Sequence, residues 1–322
     1  MSPRYPPATR SFIPRCWQWL HRVLGLCYEL SLTNLSTIGV LRSPRGSVTL
    51  FCKAMRKLLI RLSDPWALVR TRHGLTHMPL SHELATFYFR FPLYDSVIGR
   101  LATYIRESQG SLIYIDVGAN IGDSALCANL GEKDISLLLE PTEVYRECAA
   151  INLSPIAASV ELIDCLVGAC DADVEMATLA TQGTARFTPS RQASLRRLVT
   201  IDTLVAARPH LRPNFIKIDT DGYDLACLEG AKKTINRFHP YVLFEADSFS
   251  DSAYCQKMFA CLRMFSEYGY KNMLVYSNIG HLVWSGSIDS IDSVAKLLFY
   301  QLTSGVLYYD IVVLPAGSDF EA

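Results

Sequence analysis

Three aspartates fall within six residues of the stretch FIKIDTDGYDLACLEGA, residues 215–231. Asp219, Asp221 and Asp224 follow a short apolar run with the composition of a buried strand. Carboxylates grouped at the end of a strand can hold a metal ion, act as a general base beside a substrate, or close a turn before a helix. The spacing alone leaves these three roles open.

A metal cage fits the spacing least well. A calcium loop needs alternating acids, a glycine at position 6 and a glutamate at position 12, whereas Gly222 already stands fourth when counted from Asp219. The carboxylates of Asp219, Asp221 and Glu245 could together host magnesium. The seven histidines form no ligand pair near these motifs. We therefore predict no metal site.

A second group of polar residues lies in the segment DVGANIGD, residues 116–123. Gly118 and Gly122 permit a tight turn and a close approach of the backbone to a ligand. A dinucleotide pyrophosphate favours the order GxGxxG without negative side chains, whereas this loop carries Asp116 and Asp123. These carboxylates repel phosphate and favour a cation or an amine. S-adenosylmethionine (SAM) carries a sulfonium and an ammonium group and no phosphate.

Glu140 ends the next apolar run, in LLLEP. A carboxylate at this position can accept hydrogen bonds from both hydroxyls of a ribose, at roughly 1.5–3 kcal/mol for each charge-assisted bond. Its alternative role is a solvated strand end before Pro141. The residues predicted to bind SAM are Asp116, Gly118, Asn120, Gly122, Asp123, Glu140 and Asp164.

Apolar strand-like runs alternate with helix-like segments from residue 112 onward. Strands are predicted at 112–117, 135–140, 159–164, 214–219, 240–246 and 270–276. Helices are predicted near 122–131, 142–152, 222–236 and 251–268. This alternation predicts an α/β fold with a parallel sheet and helices on both faces, and ligands of such sheets bind beyond the carboxyl ends of the strands. Residues 171–200 interrupt the alternation and are predicted to form an inserted loop or hairpin.

The amino-terminal part of the chain differs in charge from the rest. The 322-residue protein has a formal net charge of zero, yet residues 1–75 contain 12 Lys and Arg against 2 Asp and Glu. Residues 12–28 and 48–62 place apolar residues at three- and four-residue steps among basic ones, which predicts two basic amphipathic helices. They can attach to an anionic membrane surface or pack on the acidic remainder. Packing is the first expectation.

Composition also bears on location and partners. No uninterrupted apolar run is long enough to span a membrane, and residues 13–26 are too polar for a signal peptide. Ten scattered cysteines without a CxxC pair favour reduced thiols. We expect a cytoplasmic protein, or one held at the inner face of the membrane through residues 12–62. The acidic remainder argues against nucleic acid as a partner.

Six motifs stand in order along residues 112–276: YIDVGANIGDS, LLLEP, Asn152, LVTIDTL, FIKIDTDGYDLACLEGA and PYVLFEAD. Together they resemble the FkbM family of SAM-dependent methyltransferases. The segment upstream of them and the tail LYYDIVVLP resemble bacterial members associated with surface-polysaccharide biosynthesis. One departure is that Asp221 and Asp224 stand where the family usually has glutamates. The resemblance implies a class I methyltransferase, Rossmann-like fold with a seven-stranded, mostly parallel sheet whose last strand is antiparallel.

The resemblance also implies O-methyl transfer from SAM to a hydroxyl of a saccharide or glycolipid acceptor. This reaction needs alignment and removal of the alcohol proton, so the candidates project from the ends of the fourth and fifth strands. The catalytic candidates are Asp219, Lys217, Asp221 and Glu245. Asp219 is preferred as the residue facing the methyl group, and Asp224 is assigned to the start of the following helix. The alternative is a SAM-binding interaction module that docks to a membrane or partner through its basic amino terminus.

The chain is predicted to have three parts. Residues 1–75 form a basic amphipathic helical extension, residues 76–110 a helical lead-in, and residues 111–315 the methyltransferase domain. His77 and His82, in the lead-in, could line the acceptor site, although surface or core positions are the first expectation.

Overall fold

The fold is that of a computed structural model, which describes residues 15–32, 44–156, 158–181, 184–188, 194–247, 253–304 and 308–321. The strands are β1 (Trp66–Thr71), β2 (Gly74–Pro79), β3 (Ile113–Val117), β4 (Ile135–Leu139), β5 (Ser159–Ile163), β6 (Leu166–Val167), β7 (Ala172–Thr181), β8 (Thr184–Thr188), β9 (Ser194–Val199), β10 (Phe215–Ile218), β11 (Tyr241–Ala246), β12 (Asn272–Ser277), β13 (Leu282–Ser287) and β14 (Tyr309–Leu314). The helices are α1 (Arg15–Ser31), α2 (Pro44–Leu62), α3 (Leu84–Arg90), α4 (Ser96–Gln109), α5 (Asp123–Ala128), α6 (Glu143–Leu153), α7 (Ile201–Ala206), α8 (Asp224–Glu229), α9 (Lys232–Phe238), α10 (Tyr254–Glu267) and α11 (Ile291–Ser304).

The central sheet has eight strands in the order β13-β12-β14-β11-β10-β3-β4-β5. Strands β5, β4, β3, β10 and β11 pair with one another in parallel in that order, and β14 is antiparallel to both β11 and β12. The prediction of a parallel α/β sheet with an antiparallel last strand is confirmed. The prediction of seven strands is wrong, because the chain turns back after β12 and pairs as the edge strand β13. Gly280, with φ of 87°, allows this reversal.

The sheet is buried on both faces, which explains the nearly continuous apolar character of its central strands. One face packs Ile115, Ile216 and Phe244 among helix residues such as Leu228. The opposite face packs Tyr114, Phe215 and their neighbours against α4 and α5, and the rings of Tyr114 and Phe215 stack with centroids 4.8 Å apart. The core therefore holds the carboxyl ends of β3 and β10 side by side.

A four-stranded sheet of order β6-β9-β7-β8 occupies the region predicted as an inserted loop or hairpin. Strands β7 and β8 form the hairpin, and residues 182–183 and 189–193 of the predicted insertion lie outside the described residues. The helix predicted near 222–236 is two helices, α8 and α9. Helix α8 ends just before Gly230. The backbone of Gly230 packs directly against that of Gly168, since an added Cβ at residue 230 would lie 2.1 Å from the carbonyl oxygen of Gly168.

The amino-terminal helices predicted near 12–28 and 48–62 are present as α1 and α2, except that residues 12–14 lie outside the described residues. The predicted helical extension does not reach residue 75, because β1 and β2 form an antiparallel hairpin that crosses the expected boundary. Gly74, with φ of 104°, closes its short turn. None of the helices in the described ranges has the length and apolarity required to cross a bilayer.

Candidate active site

A cleft of about 230 Å³ opens beyond the carboxyl ends of β3, β4, β10 and β11. This position is the one expected for a ligand in an open α/β sheet. Three of the predicted site residues, Asp116, Gly122 and Asp164, do not line the cleft. The predicted residues that line it are Gly118, Asn120, Asp123, Glu140, Lys217, Asp219, Asp221 and Glu245.

The loop between β3 and α5 is held in a left-handed backbone conformation. Gly118, Asn120 and Gly122 have φ of 79°, 48° and 83°. A Cβ at Gly118 would lie only 1.9 Å from the carbonyl oxygen of Asp219, so the loop and the turn after β10 are in direct contact. Glycine is required at residue 118 both for its φ and for this approach.

Glu140 is buried at the end of β4 and its carboxylate is fixed by two backbone amides. The amide of Asn120 donates to Oε2 at 2.8 Å, and the amide of Thr142 donates to Oε1 at 2.6 Å. Burial raises the pKa of Glu140, and the Thr142 and Asn120 amides oppose that rise. Each oxygen accepts one protein hydrogen bond and keeps a second acceptor site for a ligand hydroxyl.

His82 connects the amino-terminal helices to this loop. Its Nδ1 accepts a hydrogen bond from the amide of Leu84 at 3.2 Å, so Nε2 carries the proton and donates to Oδ1 of Asn120 at 3.0 Å. The hydroxyl of Tyr28, in α1, donates to the backbone oxygen of His82 at 2.6 Å. His82 is buried and also lines the cleft, which differs from the first expectation of a surface or purely core residue.

Lys217 and Asp116 are adjacent partners on β10 and β3 and interrupt an otherwise apolar face of the sheet. The Nζ of Lys217 lies 3.5 Å from Oδ1 of Asp116 and 3.1 Å from Oδ2 of Asp219. Ser124 donates to the other oxygen of Asp116 at 2.6 Å. Burial lowers the pKa of Lys217, but the negative charges of Asp219 and Asp116 raise it by a larger amount. The pKa of Lys217 therefore lies well above its usual value. Asp116 thus acts on the cleft indirectly, because it holds the ammonium of Lys217 beside the carboxylate of Asp219.

A pair of acids lies on the opposite wall, where Glu245 in β11 is the register partner of Asp310 in β14. Both line the cleft. Burial and the charge of Asp219 raise the pKa of Glu245 well above its usual value, and the same two causes raise that of Asp310 to about 8. Burial, offset by Lys217, raises the pKa of Asp123 to about 7. These three carboxyl groups therefore keep their protons to higher pH than ordinary carboxyl groups do.

Asp310 was missed by sequence reasoning, together with Asp95, Tyr94 and Tyr308, which also line the cleft. The available signal was a single acid inside the apolar strand YDIVVL, because an ionisable residue in a buried strand is unusual. Its convergence with Glu245 depends on the insertion of β14 between β11 and β12, which the local pattern does not specify.

The remaining aspartates have separate positions. Asp224 begins α8, as predicted, and its buried carboxylate accepts from the hydroxyl of Thr220 at 2.9 Å and from the amide of Glu245 at 3.2 Å. Asp221 has φ of 51° at the rim of the cleft. Asp164 follows β5 and forms ion pairs with Arg146 at 3.0 Å and Arg196 at 3.8 Å. Across the residues that the structure describes, no group of three or more His, Cys, Asp or Glu side chains could hold a metal ion.

The raised pKa of Asp310 is expected to reduce the stability of the folded protein as pH increases. An aspartate with an ordinary pKa of 3.8 in the unfolded chain and about 8 in the folded chain keeps its proton longer when folded. The unfolding free energy then falls by at most about 1.4 kcal/mol per pH unit between those two values. Urea unfolding of the ligand-free protein from about pH 5 to about pH 8 measures this slope.

Asp310→Asn is the matched variant for that measurement, because asparagine cannot ionise. Histidines whose pKa burial lowers to about 4, such as His73 and His77, contribute a slope of opposite sign, and they are common to both proteins. We expect the wild type to lose unfolding free energy relative to Asp310→Asn as pH rises. A difference that stays constant over this range would contradict the raised pKa.

Comparison with known proteins finds a family model that is similar to the central part of the chain. Residues 116–271, just under half of the sequence, match the family model of the methyltransferase FkbM domain. The matched segment runs from Asp116 in β3 to Lys271, the residue before β12, and includes Glu140, Asp219 and Glu245. The residues that converge on the cleft from β14 and from the lead-in lie outside it. Among curated proteins no sequence match was found.

Several solved methyltransferase structures are similar at low sequence identity. Methyltransferase FkbM from Methylobacillus flagellatus KT is 15% identical with a TM-score of 0.36, and the match covers 77% of this chain but only 54% of that protein. The METTL16 methyltransferase domain is 10% identical with a TM-score of 0.41, covering 94% of this chain and 92% of that one. The plantazolicin methyltransferase BpumL in complex with SAH is 10% identical with a TM-score of 0.32, covering 92% and 98%. At TM-scores this low, the similarities carry no information about substrate.

Proposed function

We propose that the protein transfers the methyl group of SAM to a hydroxyl group of a saccharide or glycolipid acceptor. The observation that carries the proposal is the buried Glu140 carboxylate, fixed by two amides at the end of β4 with a free acceptor site on each oxygen. It is supported by the methyltransferase FkbM domain match over residues 116–271. The residues present fit SAM because the cleft combines this carboxylate with acidic and apolar walls.

Different parts of the cleft would hold different parts of SAM. Glu140 would accept hydrogen bonds from the ribose hydroxyls. The acids beside the glycine loop, such as Asp123, would face the ammonium and sulfonium charges. The apolar wall that begins after β5 would hold the adenine, and its members in the cleft lining include Cys165, Leu166, Val167 and Leu198. When bound, SAM supplies an activated methyl group, which leaves the protein to align the acceptor and remove its proton.

Asp219 is the residue that we assign as general base. It stands at the end of β10 with about half of its side chain exposed to the cleft, and the buried ammonium of Lys217 holds one of its oxygens at 3.1 Å. The other oxygen can accept the proton of an acceptor hydroxyl. The raised pKa values of Glu245 and Asp310, on the opposite wall, favour their protonated forms, which would donate hydrogen bonds to other oxygens of the acceptor.

The cleft also favours an uncharged sugar unit as the group that is methylated. Eight of the lining side chains are Asp or Glu and one is Lys, so the lining offers a phosphate a single basic side chain, and each carboxyl group that is ionised would repel it. Phe87, Tyr94 and Tyr308 line the same space. An aromatic wall with a few placed polar groups is typical of small-molecule sites. A phosphate or diphosphate of the acceptor would therefore remain outside the cleft.

A mass-shift assay tests the proposed reaction. Purified protein is incubated with SAM and either extracted cell-envelope glycans, glycolipids or sugar nucleotides, and the products are examined for the gain of one methyl group. The proposal predicts a SAM-dependent gain on a hydroxyl oxygen of at least one sugar. SAM binding with no methyl transfer to any of these classes would favour the alternative, an interaction module that docks through its basic amino terminus.

A further inference from the structure

The orientation of α1 on the protein is fixed by close packing of its inner face. A Cβ at Gly25 would lie 1.8 Å from the carbonyl oxygen of Leu68 in β1, so the helix backbone rests directly on the hairpin. On the same face, Tyr28 is fully buried and bonds the backbone of His82. His21 is buried there as well. The opposite face of α1 must therefore point away from the protein.

The outward face of α1 is apolar. Trp19 is 70% exposed, and Val23, Leu26 and Leu30 follow it at three- and four-residue steps with 40–44% exposure. This spacing places the four side chains in one stripe along the helix. A soluble helix normally turns such a stripe to the core, whereas here the residues of α1 that are buried against the protein include His21, Gly25 and Tyr28.

Helix α2 has the same inverted arrangement. Its inner face carries Thr49 and Cys52, both buried, and Arg56, whose guanidinium donates to the backbone oxygen of Leu80 at 3.0 Å. Its apolar stripe, which the sequence predicted to pack, faces outward instead. The most exposed members of that stripe are Val48 at 47%, Phe51 at 65%, Leu58 at 48% and Leu62 at 70%. Two adjacent helices that both expose large apolar side chains indicate an interaction site.

The charges around these stripes favour an anionic partner. Lys53, Lys57 and Arg61 are exposed at four-residue steps along α2, beside the apolar stripe. The single acid of the two helices, Glu29, is paired with Arg22 at 2.6 Å. A second copy of this chain would bring like charges together at the same surface, whereas anionic lipid headgroups would neutralise them.

We propose that the outward faces of α1 and α2 dock the protein on an anionic membrane surface. The apolar stripes enter the boundary between headgroups and acyl chains, with Trp19 and Phe51 as anchors, while Lys53, Lys57 and Arg61 contact anionic headgroups. The docking face lies on the side of α1 opposite Tyr28 and is separate from the cleft. The docking therefore does not depend on the proposed methyl transfer.

Vesicle sedimentation of the full chain tests the docking. Vesicles of phosphatidylcholine alone are compared with vesicles that also contain phosphatidylglycerol. We expect binding to the anionic vesicles and little binding to the neutral ones. The bound fraction should fall as salt is raised from about 0.1 M to about 1 M, because the screening length shortens from about 10 Å to about 3 Å.

Two double variants separate the apolar and basic contributions. Lys53→Ala/Lys57→Ala removes two positive charges. Each charge is expected to strengthen binding to anionic vesicles about fivefold, so the double variant should bind about 25-fold more weakly. Trp19→Ala/Phe51→Ala is expected to weaken it by about tenfold or more. The matched control is Phe299→Ala/Tyr300→Ala on α11, which removes two side chains that are 68% and 56% exposed from a helix without a basic excess, and it should bind as the wild type does.

Three results would overturn the proposal. The first is the absence of binding to anionic vesicles by the wild type. The second is wild-type binding by both of the α1 and α2 double variants, or loss of binding by the α11 control alone. The third is self-association that Trp19→Ala/Phe51→Ala abolishes, in a protein that does not bind vesicles, since that would identify a second copy as the occupant. A far-UV circular dichroism spectrum and a thermal unfolding midpoint equal to those of the wild type confirm that each variant is folded.

Discussion

Asp219→Asn is expected to lower the rate of methyl transfer by about 10²–10⁴-fold while leaving SAM affinity within a few fold. Asparagine has nearly the same shape but cannot take the proton of the acceptor hydroxyl. In the wild type, the ammonium of Lys217 lies 3.1 Å from the carboxylate of Asp219 and 3.5 Å from that of Asp116. The side-chain oxygen of asparagine can still accept a hydrogen bond from Lys217, so we expect the position of Lys217 to be preserved. Single-turnover kinetics with saturating SAM measure the effect directly.

Asp221→Asn is the matched comparison for that variant. Asp221 lines the same cleft two residues further on, and its φ of 51° is one that asparagine adopts readily. We expect a much smaller loss of rate, because the ammonium of Lys217 lies 3.1 Å from Asp219 and orients that carboxylate, whereas Asp221 lies two residues further along the turn. Full activity in Asp219→Asn, or a larger loss in Asp221→Asn, would remove Asp219 from the role of base.

Glu140→Gln is expected to weaken SAM binding by about 100-fold, equivalent to about 2.7 kcal/mol. The reason is geometric as well as electrostatic. In the wild type, one oxygen accepts from the amide of Asn120 and the other from the amide of Thr142. Either orientation of a glutamine amide points its NH₂ group at one of those N–H donors, so one of these bonds is lost. Isothermal titration calorimetry gives the dissociation constant.

Glu143→Gln is the control for Glu140→Gln. Glu143 is an exposed acid in the first turn of α6, three residues further on, and its charge interacts mainly with the helix dipole. Its replacement should leave SAM affinity unchanged. If Glu140→Gln binds SAM as tightly as Glu143→Gln does, then Glu140 is not a cofactor ligand and the assignment of the cleft must change.

The sequence was sufficient to locate the two ends of the cleft. Glu140 and Asp219 follow strands that alternate with helices, and such strands lie parallel with their carboxyl ends at one edge. The parallel arrangement of such strands does not depend on the details of their side chains. It therefore predicts that Glu140 and Asp219 lie at the same edge of the sheet, although they are far apart in the chain. The loop between β3 and α5 was predictable for a related reason, since its glycines have left-handed φ values that other residues rarely adopt.

The opposite wall of the cleft could not be predicted in this way. Asp310 faces Glu245 only because β14 inserts between β11 and β12, and no local pattern specifies that strand order. His82 is a similar case, because its contact with Asn120 depends on the β1–β2 hairpin that carries the lead-in onto the glycine loop. Neither residue lies in a motif predicted to bind SAM or to take part in catalysis.

Helix α2 shows a different limit of sequence reasoning. The three- and four-residue spacing of Val48, Phe51, Leu58 and Leu62 correctly predicts a helix with an apolar stripe. It does not specify whether that stripe faces the protein or its surroundings. The observed orientation is set by the inner face instead, where the thiol of Cys27 in α1 contacts the backbone oxygen of Cys52 and Arg56 reaches the backbone of Leu80.

The most direct test of the central claim, a SAM site at the carboxyl edge of the sheet, is calorimetric titration of the wild-type protein with SAM, its demethylated product and NAD. The claim predicts binding of SAM and of the product, and no binding of NAD, because the acidic loop repels a pyrophosphate. Binding of NAD without binding of SAM would contradict it.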